Sequence, residues 1–103
     1  MITLFTLPKP FVGPIKTLQM NALRSWKALG NGVEVLLLGR ERGVAEAASA
    51  LQLRHINEEC SRNNQGTPLL NWIFEEAQKF ATHPTVCYVN TGIILTPTFL
   101  LAI

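Results

Sequence analysis

The chain has 103 residues, with nine Lys and Arg against seven Asp and Glu for a formal charge of +2. Its residues are 48% hydrophobic and only 16% charged, a balance that excludes a disordered or acidic solvating segment and predicts a single domain, 1–103, with one packed core. The basic residues are scattered from Lys9 to Lys79, so no phosphate-backbone footprint is present and nucleic acid is not an expected partner.

Ile2 to Leu7 is a β-prone run ended by Pro8 and Pro10, which predicts a first strand followed by an ordered loop through Gly13 and Pro14. No basic region or small-residue cleavage site accompanies it, so it does not read as a signal peptide. From Ile15 the apolar residues Leu18, Ala22, Leu23, Trp26 and Leu29 recur at helical spacing, with Lys16, Gln19, Arg24 and Lys27 assigned to the opposite, polar side. Gly30-Asn31-Gly32 should end that helix.

Val33 to Leu38 is a near-continuous apolar run, the pattern of a parallel strand buried on both faces. Gly39 to Gly43 reads as a turn, and Val44, Ala47, Ala48 and Leu51 as a small-residue helix stripe. Arg54 to Asn57 suits a short edge strand, and Glu58 to Gly66 a polar surface loop. Thr67-Pro68 predicts an N-cap and first helical position, followed by a wide apolar face of Leu69, Leu70, Ile73, Phe74, Ala77, Phe80 and Ala81. Val86 to Asn90 is expected to be a further buried strand carrying an inert Cys87, and Thr96-Pro97 a last helix start. The longest apolar stretch, Ile93 to Ile103, is broken by Thr96, Pro97 and Thr98 and is too short to cross a bilayer, which takes about 20 residues.

Strand and helix therefore alternate, the βαβ pattern of a doubly wound or related parallel sheet whose ligands sit at the carboxyl ends of the strands. That edge is marked by Pro8 to Phe11, Gly39 to Arg42 and Asn90 to Gly92, with Lys9 and Arg42 as loop cations able to meet a phosphate. No GxGxxG, GxxxxGK[ST] or GxSxG motif occurs, which removes the dinucleotide, P-loop and serine-hydrolase readings. His55, Glu58, Glu59 and Cys60 match no zinc spacing, and no metal site is assigned. A thiol enzyme built on Cys60 and His55 would need a depressed cysteine pKa, which Glu58 and Glu59 oppose. Cys60 and Cys87 form no CxxC pair and read as reduced thiols of a cytoplasmic protein.

Four segments taken together resemble one family: Thr6-Leu-Pro-Lys-Pro-Phe11, Gln19-Met-Asn-Ala-Leu-Arg-Ser-Trp26, Gly66-Thr-Pro-Leu-Leu-Asn71 and Cys87-Tyr-Val-Asn-Thr-Gly-Ile-Ile-Leu95. They are similar to the GT-A-fold glycosyltransferase-like proteins related to glycosyltransferase family 2. The resemblance implies a three-layer α/β/α domain with a mainly parallel sheet, corresponding to the N-terminal, Rossmann-like half of a truncated GT-A fold. It implies a nucleotide-diphospho-sugar ligand, held near Thr6, Pro8, Lys9, Asn21, Arg24 and Asn90, and it assigns no catalytic residue. In the family, an aspartate after the strand matching Val86 to Asn90 helps place Mn or Mg on the diphosphate. Here Asn90-Thr91-Gly92 stands at that place, and glycine supplies only a carbonyl where a hard cation wants anionic oxygen. The acceptor half would lie beyond Ile103, so the expectation is a nucleotide-sugar-binding, catalytically impaired domain. The contrasting expectation, from Gly92 and the apolar Phe99 to Ile103, is a non-enzymatic homo-oligomeric scaffold whose C-terminal end packs into the core or against a second copy.

Overall fold

The structure, a computed structural model, describes residues 2–30 and 32–102, the side chains of 100–102 excepted. Four strands and three helices alternate: β1 (Ile2–Thr6), α1 (Gly13–Lys27), β2 (Val33–Leu38), α2 (Val44–Leu51), β3 (Arg54–Ile56), α3 (Leu70–Phe80) and β4 (Val86–Tyr88). A 3-10 helix over Pro97–Ala102 follows. All four strands are parallel, in the order β3-β2-β1-β4. None of the described helices is long and apolar enough to cross a membrane.

β1 and β2 lie side by side at the centre, with Leu4 opposite Val35 and Phe5 opposite Leu36. Because successive side chains alternate across a strand, these two runs feed two separate clusters. Ile2, Leu4, Val35 and Leu37 gather with Ala22, Leu23 and Trp26 of α1 and Val44, Ala47 and Ala48 of α2. Phe5, Leu36 and Leu38 gather with Ile56 of β3 and Ile73 and Ala77 of α3. Each large side chain removed from water in this way contributes about 1.5–3 kcal/mol. Small alanines on α2 and α3 let the helices approach the sheet.

Helix α1 begins at Gly13 with Pro14 in its first turn, where the absent N–H breaks no helical hydrogen bond. Its buried face differs from the expected stripe, since Ile15 is exposed and Leu18 and Gln19 change places. Leu18 is 58% exposed, whereas Gln19, expected on the polar side, is buried. The reason is a hydrogen-bonding requirement of the neighbouring loop, described below. Trp26 is fully buried and its Nε1 donates to the carbonyl of Ile93 at 2.7 Å, so the indole N–H is not left unpaired. At the preceding residue, Ser25 Oγ accepts from the Leu95 N–H at 2.9 Å, which lays residues 93–95 along α1. Phe99 continues this path, partly buried against the α1 and α2 cluster. The C-terminal apolar side chains, on which a core or dimer contact was expected, otherwise lie outside the described residues.

Two further expectations are corrected. Strand β4 is an edge strand rather than a buried one: it pairs with β1 alone, Cys87 is half-buried and Tyr88 is 38% exposed. Thr67 does not cap α3, whose N-cap is Leu69 with no side-chain hydrogen bond. The Thr67 N–H is instead taken by Asn63 Oδ1 at 2.9 Å, and Arg62 and Pro68 form an antiparallel bridge. The stretch before α3 is thus a small hairpin that draws Thr67 away from the helix end. Leu69 and Leu70 are consequently exposed, not core.

At the opposite end of the sheet, Glu34 ties four segments together. It accepts from Thr3 Oγ1 at 2.8 Å, from Arg54 Nη1 at 2.7 Å and from the Thr82 N–H at 2.9 Å, while Arg54 also donates to the Phe80 carbonyl. Burial pushes the Glu34 carboxyl up, but the Thr82 N–H, the Arg54 guanidinium and the Thr3 hydroxyl together outweigh it and bring it from 4.5 down to about 2. A depressed carboxylate contributes stability above its unfolded pKa and loses it as pH falls through the folded value. The urea midpoint of the native protein is therefore expected to drop as pH falls from 4.5 towards 2. Glu34→Gln is expected to be less stable at neutral pH and to show a shallower drop over that window; identical profiles would contradict the assignment.

Candidate functional site

The chain leaves β1 for α1 and β2 on one side, while β4 arrives on the other side after α3. Loops that depart in opposite directions from adjacent parallel strands leave a crevice beyond their carboxyl ends. A cleft of about 570 Å3 lies there, within the usual range of roughly 300–1,000 Å3 for small-molecule sites. Leu7 to Pro10 form one wall and Tyr88, Asn90 and Thr91 another. Leu70 and Ile73 of α3 contribute apolar surface, and Glu41, Arg62 and Thr67 bring polar groups from the loops after β2 and β3.

The loop after β1 is held by three contacts. Gln19 spans the Lys9 backbone, its Oε1 accepting the Lys9 N–H at 2.8 Å and its Nε2 donating to the Lys9 carbonyl at 2.9 Å. This pair acts as a two-bond strand partner, and it is why a glutamine occupies the buried face of α1. The Phe11 N–H donates to the Arg42 carbonyl at 2.7 Å. Gly43, at φ +86°, lies against Phe11 so closely that an added Cβ would fall 2.6 Å from Phe11 Cβ. Glycine is required there both for its left-handed backbone and for that approach.

Arg62, also in the lining, is fixed twice. Its backbone bridges to Pro68, and its guanidinium donates to the Gly66 carbonyl at 3.0 Å and to Glu41 Oε1 at 2.7 Å. Beneath the cleft, Thr6 and Thr91 share a hydrogen bond of 2.5 Å between their buried hydroxyls, joining the ends of β1 and β4. Asn90 Oδ1 accepts the Gly92 N–H at 3.1 Å, which shapes the turn after β4.

Of the residues singled out from the sequence, Pro8, Lys9 and Asn90 line this cleft, and Thr6 supports its floor. Asn21 and Arg24 are exposed on α1 and do not line it. Arg42 lines a smaller groove of about 400 Å3 with Phe11 and Lys16. Gln19, Glu41, Arg62 and Tyr88 complete the cleft without having been singled out. Arg62 sits in a polar stretch that carries no motif, and its pairing with Glu41 spans two loops, so no local pattern marks it. A signal for Gln19 lay in its spacing, three residues before Ala22 and four before Leu23, but its polarity placed it on the opposite side of the helix.

His55 Nε2 lies 2.7 Å from the Gly39 carbonyl, and burial pushes the Cys60 thiol up from its ordinary value. Neither observation favours nucleophilic chemistry at Cys60. Among the described residues no group of three or more His, Cys, Asp and Glu side chains could hold a metal ion. Glu41 is the one carboxylate among the residues lining the cleft, and it is committed to Arg62. No uncommitted carboxylate among the described lining residues is therefore left for a Mn or Mg ion, which is held through one or two carboxylates together with substrate phosphates. Comparison with known protein families, curated proteins and solved structures returns no match.

Gln19→Met keeps the volume of the side chain but leaves the Lys9 N–H and carbonyl unpaired. It is expected to cost about 1–3 kcal/mol, read as a lower urea midpoint, whereas Gln19→Met with an unchanged midpoint would remove the loop-fixing role.

Proposed function

We propose that this protein is a three-layer, GT-A-like domain that binds a nucleotide-diphospho-sugar in the cleft between β1 and β4, and that it binds rather than transfers. The observation that carries this reading is the cleft itself, at the reversal of strand order, lined by Pro8, Lys9 and Asn90 from the segments of resemblance. Leu70, Ile73 and Tyr88 offer a sugar or base apolar and aromatic surface, and Lys9 and Arg62 offer cations to its phosphates. The impaired chemistry follows from Asn90-Thr91-Gly92, which supplies no carboxylate. A cytoplasmic setting accords with two free cysteines.

The test is a thermal-shift titration with UDP, GDP, CDP and their sugars, with and without manganese. Ligand at about 100 Kd should add roughly 2.7 kcal/mol to the folded state, seen as a selective upward shift with one nucleotide; the absence of a shift with all of them would overturn the reading. Gly92 has no left-handed backbone, and an added Cβ would meet only Asn90 Oδ1 at 3.7 Å. Gly92→Asp is accordingly expected to fold with a melting point close to the native one and to gain a manganese-dependent component in nucleotide binding.

A second reading, a homo-oligomeric scaffold, is favoured by one observation. Leu70 is 69% exposed, Ile94 62% and Ile93 49%, and Phe74 and Tyr88 add two part-exposed rings on either side of Phe5. Size exclusion with light scattering is expected to give a dimer mass on this reading, and a monomer at all concentrations would set it aside.

A further inference from the structure

Two cations line the same cleft, Lys9 from the loop after β1 and Arg62 from the loop after β3. Lys9 belongs to no ion pair among the described residues, and its backbone is pinned on both polar groups by Gln19, so its exposed ammonium swings from a fixed root. Arg62 is held by the Pro68 bridge, the Gly66 carbonyl and Glu41, which together use one N–H on each terminal nitrogen. A guanidinium has five N–H groups, so three remain to address a ligand. Glu41 thus holds the guanidinium in place at the cleft lining. With Glu41 counted, the three side chains keep one net positive charge for a phosphate to meet.

We infer that this cleft binds the diphosphate of its ligand without a divalent metal, Lys9 and Arg62 taking the phosphate oxygens; this rests on the nucleotide-sugar reading above. Arg62 provides the geometrically defined contact, because a fixed guanidinium matches two phosphate oxygens at once, and Lys9 provides the mobile point charge. Tyr88 and Asn90 then lie on the side of the cleft away from the β2 loop, where the remainder of the ligand would rest.

The experiment is isothermal titration of the full chain with UDP, GDP, CDP and inorganic pyrophosphate, in EDTA and again in manganese chloride. Binding of at least one nucleotide in EDTA, within about twofold of its affinity in manganese, is expected, together with a marked weakening as salt is raised. Lys9→Ala and Arg62→Gln are each expected to weaken it about tenfold, which is 1.4 kcal/mol, with circular dichroism confirming the fold. Because Arg62→Gln also unmasks Glu41, the Glu41→Gln/Arg62→Gln double variant is decisive: weakness that persists supports Arg62 as the phosphate contact, and restoration of native affinity overturns it. Nucleotide binding that appears only with manganese overturns this inference while leaving the nucleotide reading intact. No binding in either buffer overturns both.

Discussion

From Ile2 to Thr6, every residue of β1 is buried. Every backbone polar group of such a strand must be paired by a neighbour, and every side chain must be covered. Strand β2 supplies one set of partners over five registered pairs, and β4 supplies the other. The apolar residues of β1 divide between the two clusters, so α1 and α2 on the one hand and α3 on the other are required by the same five residues. The two buried threonines are each satisfied by a hydroxyl contact outside the strand, Thr3 to Glu34 and Thr6 to Thr91. One mends the amino end of the sheet and the other the carboxyl end.

The cleft is a by-product of that arrangement. With β1 flanked by β2 and β4, the chain must leave towards one neighbour while the other arrives from the far edge, and the loops part above the strand. What the protein adds is rigidity at the rim. Gln19 on one side and the Arg62 hairpin on the other fix backbone by side-chain hydrogen bonds rather than by longer strands. Preorganised donors lose less freedom on binding than mobile ones, which suits a site that has few polar groups to spend.

Much of this was legible in the residues, and two of the exceptions share a cause. The apolar run of Val33 to Leu38 marks a strand covered on both faces, and the Gly39 to Gly43 turn and the Val44 to Leu51 stripe fall where the structure has them. At those two exceptions a polar side chain does a backbone's work. Gln19 pairs with Lys9 and so takes the place that periodicity reserves for Leu18. Asn63 takes the Thr67 N–H and cancels a capping signal that is sound on local grounds. Strand β4 looked buried because apolar residues alone do not say how many neighbours a strand has. Of the site, Pro8, Lys9 and Asn90 were visible from their place after predicted strands, whereas Arg62 depends on a hairpin whose logic lies in hydrogen bonds.

Strand β4 also bears on how the protein avoids unwanted self-assembly. It is an open sheet edge, a template on which a stray strand could add. Yet it spans only Val86–Tyr88, preceded by Pro84 and closed by the Asn90 turn, in which the Ile93 N–H returns to the Asn90 carbonyl at 3.0 Å. So short a run offers an incoming chain few ladder positions before the backbone turns away. The brevity of the last strand thus guards against fibrous growth along the sheet.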